Sequence, residues 1–447
     1  MTERGPGAAG GDEKALARRA RLVEVDKRRV WHPYTPMDRY REEVDPLVVV
    51  RAEGVRLYDL DGRVYLDGNA SWWTSTLGHG HPRLVEALHR QSERLCHTAL
   101  AGITHEPAAE LAEELVAVAP AGLEHVFYSD NGSTAVEVAM KMCLQYWAQS
   151  GRPERRSFVA LEDAFHGETL GVTALGGVEV FRRPFAGSLL EAVHIPSPAA
   201  GDEARSVAAL ENAVLGAREQ VAGVVLEPLV QGAAGMRIYG PSFLREARRI
   251  CDEADVFLVF DEVFSGYGRT GTFWACEQAG VAPDLLCTAK GFSGGFFPMA
   301  ATLVSPRIFE GFLGGPERAF YYGHTFCGNP LGAAVAREVL RIFREERVIE
   351  GIPERSYRIE AAFRELEALP GVAESRCLGM IGALDLAGDS GYLARAGWDV
   401  FEEARRRGAY LRPLGNVVYV TPALNIPLDD LEELLRIVRE SVAAVAG

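Results

Sequence analysis

From residue 125 onward, short uninterrupted apolar runs alternate with segments whose apolar residues recur every three or four positions. HVFYSD (125–130), SFVALED (157–163), VAGVVLEPLV (221–230), VFLVFDEV (256–263) and DLLCTAK (284–290) are short and rich in β-branched or aromatic residues. That texture predicts strands buried on both faces. Between them, AVEVAMKMCLQYWAQ (135–149) and PSFLREARRICDEA (241–254) carry helical spacing. Strands alternating with helices predict an α/β fold around a mostly parallel, doubly wound sheet.

The flanks read differently. LVVVRAEGVRLYDLDGRVYLDG (47–68) alternates with period two around the turn signal DLDG, which predicts a hairpin or meander. Helical spacing follows over 83–95 and 107–119. Near residue 340 the texture changes to a long charged amphipathic helical stretch, AREVLRIFREERVIEGIPERSYRIEAAFRELEAL (336–369). Strand-like MIGALDLAG (380–388) and NVVYVTPALNI (416–426) and a terminal helix LDDLEELLRIVRESVAAV (428–445) come next. This predicts a second, smaller α/β unit over 341–447. The first 20 residues, rich in Gly and Ala and poor in apolar residues, read as a disordered leader.

Charge narrows the function classes. A formal net charge of -15 leaves no diffuse basic surface for nucleic acid or anionic membrane. No apolar run approaches the ~18 residues of a membrane helix, and no hydrophobic secretory segment opens the chain. Seven cysteines are dispersed without a CxxC pair, as in a reduced cytoplasmic protein. His79 and His81 lack companion ligands, so a turn role suits them better than a metal, and no metal site is expected. The partners expected are small molecules.

The basic residues hold one anomaly: four lysines (Lys14, Lys27, Lys141, Lys290) stand against 43 arginines. Lys290 ends an apolar run, where burial disfavours the ammonium and leaves a nucleophilic amine suited to a Schiff base. Asp261 ends another such run, at the strand edge where open α/β sheets bind ligands. In SDNGSTA (129–135) a strand runs into Asn131, Gly132, Ser133 and Thr134 at a helix start, either an ordinary N-cap or a phosphate cradle. Gly266, Gly268 and Gly271 spell GxGxxG, but five residues separate them from the strand, so the dinucleotide fingerprint is misplaced. Phosphate cradle, strand-end acid and strand-end lysine together are what pyridoxal 5'-phosphate requires.

At these residues the chain resembles the class III, fold-type I pyridoxal phosphate aminotransferases. DEVFSGYGRTG (261–271) followed by PDLLCTAK (283–290) is similar to their central signature, and the likeness spans about 31–430. WHPYTPM (31–37), DGNASWWTSTLGHGHP (67–82), LEPLVQGAAGM (226–236), GHTFCGNPL (323–331) and LRPLGNVVYVTP (411–422) are most similar to the biotin-pathway branch of that family. The resemblance implies a large cofactor-binding domain over 76–340 and a smaller one built from 21–75 and 341–447. It makes Lys290 the lysine that carries the cofactor and Asp261 the partner of the pyridine nitrogen. Gly132 and Ser133 would hold the phosphate, Phe165 and Val263 would cover the two ring faces, and His324 and Thr325 would reach a partner subunit's phosphate. That last role implies a homodimer with shared active sites.

Tyr34, Trp72, Phe165, Lys290, Gly323 and Arg412 would form the substrate pocket, with Arg412 pairing a substrate carboxylate. The implied reaction converts 7-keto-8-aminopelargonate to 7,8-diaminopelargonate, with S-adenosylmethionine as amino donor. A general ω-amino acid or diamine:pyruvate aminotransferase shares every cofactor residue and is the alternative. The chain departs from the biotin branch in having Phe165 at a usual tyrosine and His324 at a frequent proline. The first of these keeps the ring and removes a hydroxyl.

Overall fold

The computed structural model describes residues 9–447. Seven strands form its central sheet: β1 His125–Ser129, β2 Ser157–Leu161, β3 Ala192–Ile195, β4 Val221–Leu226, β5 Phe257–Asp261, β6 Leu285–Thr288 and β7 Ala300–Val304. Their spatial order is β1-β7-β6-β5-β4-β2-β3. From β6 to β3 every pairing is parallel, while β7 runs antiparallel to both β6 and β1. The sheet is therefore mixed, with one reversed strand in a mostly parallel, doubly wound frame. The reversal follows from chain length: the link from Thr288 to Ala300 holds only a short 3-10 turn, Lys290–Ser293, too little for a helical crossover.

Every residue of β4, β5 and β6 is buried, as their unbroken apolar runs require. Alternate side chains feed two separate cores. Phe257 and Val259 pack with the helix Gly132–Gln149 on one face, whereas Leu258 and Phe260 join the larger core containing Phe243, Ala247 and Ile250 of the helix Pro241–Ala254. Each such large apolar side chain contributes about 1.5–3 kcal/mol when fully buried.

Two smaller sheets flank this frame. Val49–Glu53, Arg56–Asp59 and Val64–Asp67 form the meander expected from 47–68, and Ala409–Tyr410 adds a parallel strand to it. Val372–Leu378, Ile381–Leu386 and Val417–Val420 form an antiparallel sheet. Residues from both ends of the chain thus share one sheet.

Two expectations need correction. The stretch 336–369 is not one helix: Pro330–Glu345 and Ile352–Leu366 are separated where Arg347 takes a left-handed φ of 52° and Gly351-Ile352-Pro353 restarts the chain. The leader is helical from Ala9 to Arg29 rather than disordered over 9–20. Ala, Leu, Glu, Lys and Arg dominate that segment and favour helix, and Arg19 ties it down through Asp45 and Asp61. Residues 1–8 lie outside the described residues. Among the described residues, no helix is long and apolar enough to cross a membrane.

Candidate active site

The carboxyl ends of β1, β5 and β6 open into a cavity of about 500 Å³. At the end of β1, Asn131 caps the helix Gly132–Gln149: its Oδ1 accepts from Thr134 N at 3.1 Å, and Thr134 Oγ1 accepts from Asn131 N at 3.1 Å. The first helical N–H groups, those of Gly132 and Ser133, have no intrahelical partners, and both residues line the cavity. A Cβ on Gly132 would stand 2.8 Å from Val263 Cγ1, so only glycine lets the helix start come this close to β5's exit. Gly167, at φ 126°, likewise leaves room for Ser133 Oγ, which accepts from Glu168 N at 3.0 Å.

Asp261 closes β5, buried, with Oδ1 accepting from Val263 N at 3.1 Å and Oδ2 2.8 Å from His166 Nδ1. His166 is fully enclosed; burial opposes its positive charge, yet the bond to Asp261 raises its pKa above the usual imidazole value. Facing the carboxylate, Nδ1 is the protonated nitrogen, and the imidazole holds Asp261 toward the cavity. Glu227, just past β4, is buried beside them; burial pushes its pKa up to about 7.

Lys290 follows β6 by two residues, at a left-handed φ of 45°. Its amine lies 5.0 Å from the centre of the Trp73 ring. Burial lowers its pKa below the usual lysine value, and the charges of Asp261 and Glu227 act against that drop. An amine with a depressed pKa facing an open cavity is a nucleophile in waiting.

The cavity mouth is aromatic. Ala70, Ser71, Trp72 and Trp73 all have positive φ, a left-handed turn that costs of order 1–3 kcal/mol per residue. Asp67 and Asn69 hold it: Ser71 Oγ donates to Asp67 Oδ2 at 2.8 Å, and Asn69 Oδ1 accepts from Arg412 N at 2.6 Å. The Arg412 guanidinium lies 4.7 Å over the Trp72 ring, and its buried Nη1 has no partner in the protein. Across the mouth, the Tyr34 hydroxyl donates to Glu168 Oε1 at 2.5 Å. Phe181 meets Tyr34, Phe165 and Tyr392 edge-on at ring separations of 5.4, 5.7 and 4.8 Å.

Of the residues predicted from sequence, Tyr34, Trp72, Gly132, Ser133, Phe165, Asp261, Val263, Lys290 and Arg412 line this one cavity. Gly323, His324 and Thr325 do not line it; they sit on a partly exposed segment beside it. There His324 Nδ1 is 2.8 Å from Asp130, its Nε2 bonds the Tyr322 hydroxyl at 3.0 Å, and Cys327 Sγ accepts from His324 N at 3.1 Å. The backbone N and Nε2 of His324 thus have protein partners, while its buried Nδ1, though near Asp130, makes no well-formed hydrogen bond. The His79 backbone forms a β-bridge with Gly54, and its Nε2 lies 2.9 Å from Asp67. Asn69, His166, Glu168, Phe181, Glu227 and Tyr392 were missed. The one sequence signal for Glu227 was its place at the end of the apolar run VAGVVL, the same signal that marked Asp261.

Comparison with known proteins agrees with this geometry. The family described as aminotransferase class-III matches residues 39–442. A protein of Nitratidesulfovibrio vulgaris named adenosylmethionine-8-amino-7-oxononanoate aminotransferase is 42% identical, over 96% of this chain and 83% of its own length. The crystal structure of the Methanocaldococcus jannaschii protein of the same name has a TM-score of 0.92 at 34% identity, covering 96% of this chain and 99% of that one. A thermostable (S)-enantioselective ω-transaminase from Thermomicrobium roseum reaches a TM-score of 0.91 at 30% identity, over 96% of this chain and 99% of that one. The frame is thus common to enzymes of different substrate preference. The chain belongs to the class III aminotransferases, enzymes that depend on pyridoxal 5'-phosphate.

Proposed function

We propose that this enzyme aminates 7-keto-8-aminopelargonate to 7,8-diaminopelargonate in biotin biosynthesis, with S-adenosylmethionine as amino donor. The observation that carries the choice is the full-length similarity to proteins bearing that name, joined to a pocket whose buried guanidinium lacks a protein partner. An unpaired Arg412 Nη1 fits the carboxylate that both of these substrates carry.

The cavity suits the cofactor on its own geometry. The Gly132–Ser133 N–H groups and the space kept by the missing Cβ of Gly132 fit an ester phosphate. Asp261, fixed by His166, fits a protonated ring nitrogen, and Lys290 fits the aldehyde. Phe165 and Val263 are placed to pack on the ring. Bound there, pyridoxal phosphate supplies the electron sink that stabilises a carbanion at the amine-bearing carbon of the substrate. Lys290 Nζ, with its pKa depressed by burial, takes the proton from the donor's amine-bearing carbon as base and, in the second half-reaction, delivers a proton as acid to the acceptor carbon that gains the amine. Arg412 orients each substrate through its carboxylate, and Tyr34, Trp72 and Phe181 narrow the mouth and keep water from the reacting carbon.

The exposed segment Gly323–Thr325 supports a homodimer in which His324 and Thr325 reach the phosphate of the partner's site and Gly323 borders its substrate pocket. Exposed Tyr321 and Phe326 beside it supply apolar area for such an interface. Complementation tests the acceptor: a biotin auxotroph lacking only this step grows when it expresses the chain. Failure to grow despite good expression contradicts the reading and favours the ω-amino acid or diamine:pyruvate alternative.

A further inference from the structure

We propose that Glu227 is a positioning residue for the transamination: its carboxylate ties together two segments bordering the cavity and, once ionised, keeps negative charge facing Lys290. Glu227 is buried and lines the same cavity as Lys290, Asp261 and His166. Each carboxylate oxygen takes one backbone N–H, Oε1 from Phe165 and Oε2 from Gly232, both at 3.0 Å. Phe165 is the residue placed to cover the cofactor ring, so the carboxylate fixes the chain at the point where that ring sits. The main chain of Glu227 is held as well, since the Tyr239 hydroxyl donates to its carbonyl oxygen at 2.5 Å.

The charged groups around it make its ionisation consequential. Burial, with a smaller contribution from Asp261, raises its pKa to about 7 against the opposing pull of His166 and the two N–H donors. Glu227 and the neighbouring buried Glu262 both act electrostatically on Tyr239. Ionised Glu227 favours the ammonium form of Lys290, and neutral Glu227 favours the free amine. Beside burial and Asp261, the residue therefore adjusts how much of the lysine is free near neutral pH while also holding Phe165 in place.

The scarcity of lysine makes this measurable without activity. The full-length protein is stripped of cofactor, shown to rebind it, and treated with a limiting amine-selective acylating reagent across pH. Labelling is read by peptide mass at Lys290, with Lys14, Lys27 and Lys141 as internal references. In Glu227→Gln, the pH midpoint of Lys290 labelling falls by about one unit, the usual scale for losing a nearby opposite charge. At neutral pH this reads as about tenfold faster labelling relative to Lys141. Glu227→Asp keeps the charge and holds the midpoint near the unmutated value, while turnover drops through kcat because the shorter arm releases Phe165.

In the unmutated protein, the logarithm of the Lys290 labelling rate climbs with pH but flattens around pH 7, where Glu227 ionises. A straight climb through pH 7, an unchanged midpoint in Glu227→Gln, or equal shifts in Gln and Asp variants overturns the proposal. The unmutated profile decides the matter even where a variant does not fold.

Discussion

Lys290 joins a left-handed backbone, a depressed pKa and an aromatic neighbour at one position. Arginine, which this chain uses almost everywhere else, stays protonated and cannot take the role. Lys290→Arg and Lys290→Ala are both expected to lower kcat by 10²–10⁴-fold or more, the range for a lost general acid–base group; stopped-flow or steady-state rates check this. Arg412→Ala is expected to raise KM for substrates bearing a carboxylate by about 10–100-fold, the loss of a charged hydrogen bond of about 1.5–3 kcal/mol. Amines without a carboxylate lose little, and a parallel pair of KM measurements separates the two cases. Lys290, Asp261 and Gly132–Ser133 were legible in the sequence because a polar residue closing an apolar run announces a strand edge. Asn69, Phe181 and Tyr392 were not, because their roles arise from contacts between distant segments, such as Asn69 with Arg412.

At the scale of elements, function depends on how closely the helix Gly132–Gln149 and the exit of β5 approach. Gly132→Ala places its Cβ 2.8 Å from Val263 and pushes the helix start away from the cavity. Cofactor affinity is expected to fall at least tenfold with the fold retained, as read by equilibrium dialysis of pyridoxal phosphate. The apolar runs marked β4, β5 and β6, since both faces of each are buried. They did not mark β7, whose direction is decided by the shortness of the link after Lys290 rather than by its own residues. Nor did periodicity see the break in 336–369, because the apolar stripe continues across the turn that splits it.

For the whole molecule, stability depends on the buried carboxyls around the site. Glu262 is fully buried, accepting from Ser265 Oγ, Ala275 N and Cys276 N, and burial raises its pKa to about 7 from 4.5. A carboxyl raised on folding binds its proton more tightly in the folded state. Its stabilising contribution is complete below pH 4.5 and is lost as pH rises through about 7. Urea unfolding of the intact protein and of Glu262→Gln across this window is expected to differ in slope, the variant losing this component of the pH dependence.

The whole-molecule frame is shared with ω-transaminases, so the fold alone does not choose the substrate; the pocket side chains do. The most direct test is therefore steady-state turnover by the purified enzyme of 7-keto-8-aminopelargonate with S-adenosylmethionine, beside simple ω-amines with pyruvate. The expected product is 7,8-diaminopelargonate, with kcat/KM for this pair well above that of the simple amines. Efficient use of ω-amines with pyruvate and no product from 7-keto-8-aminopelargonate would contradict it.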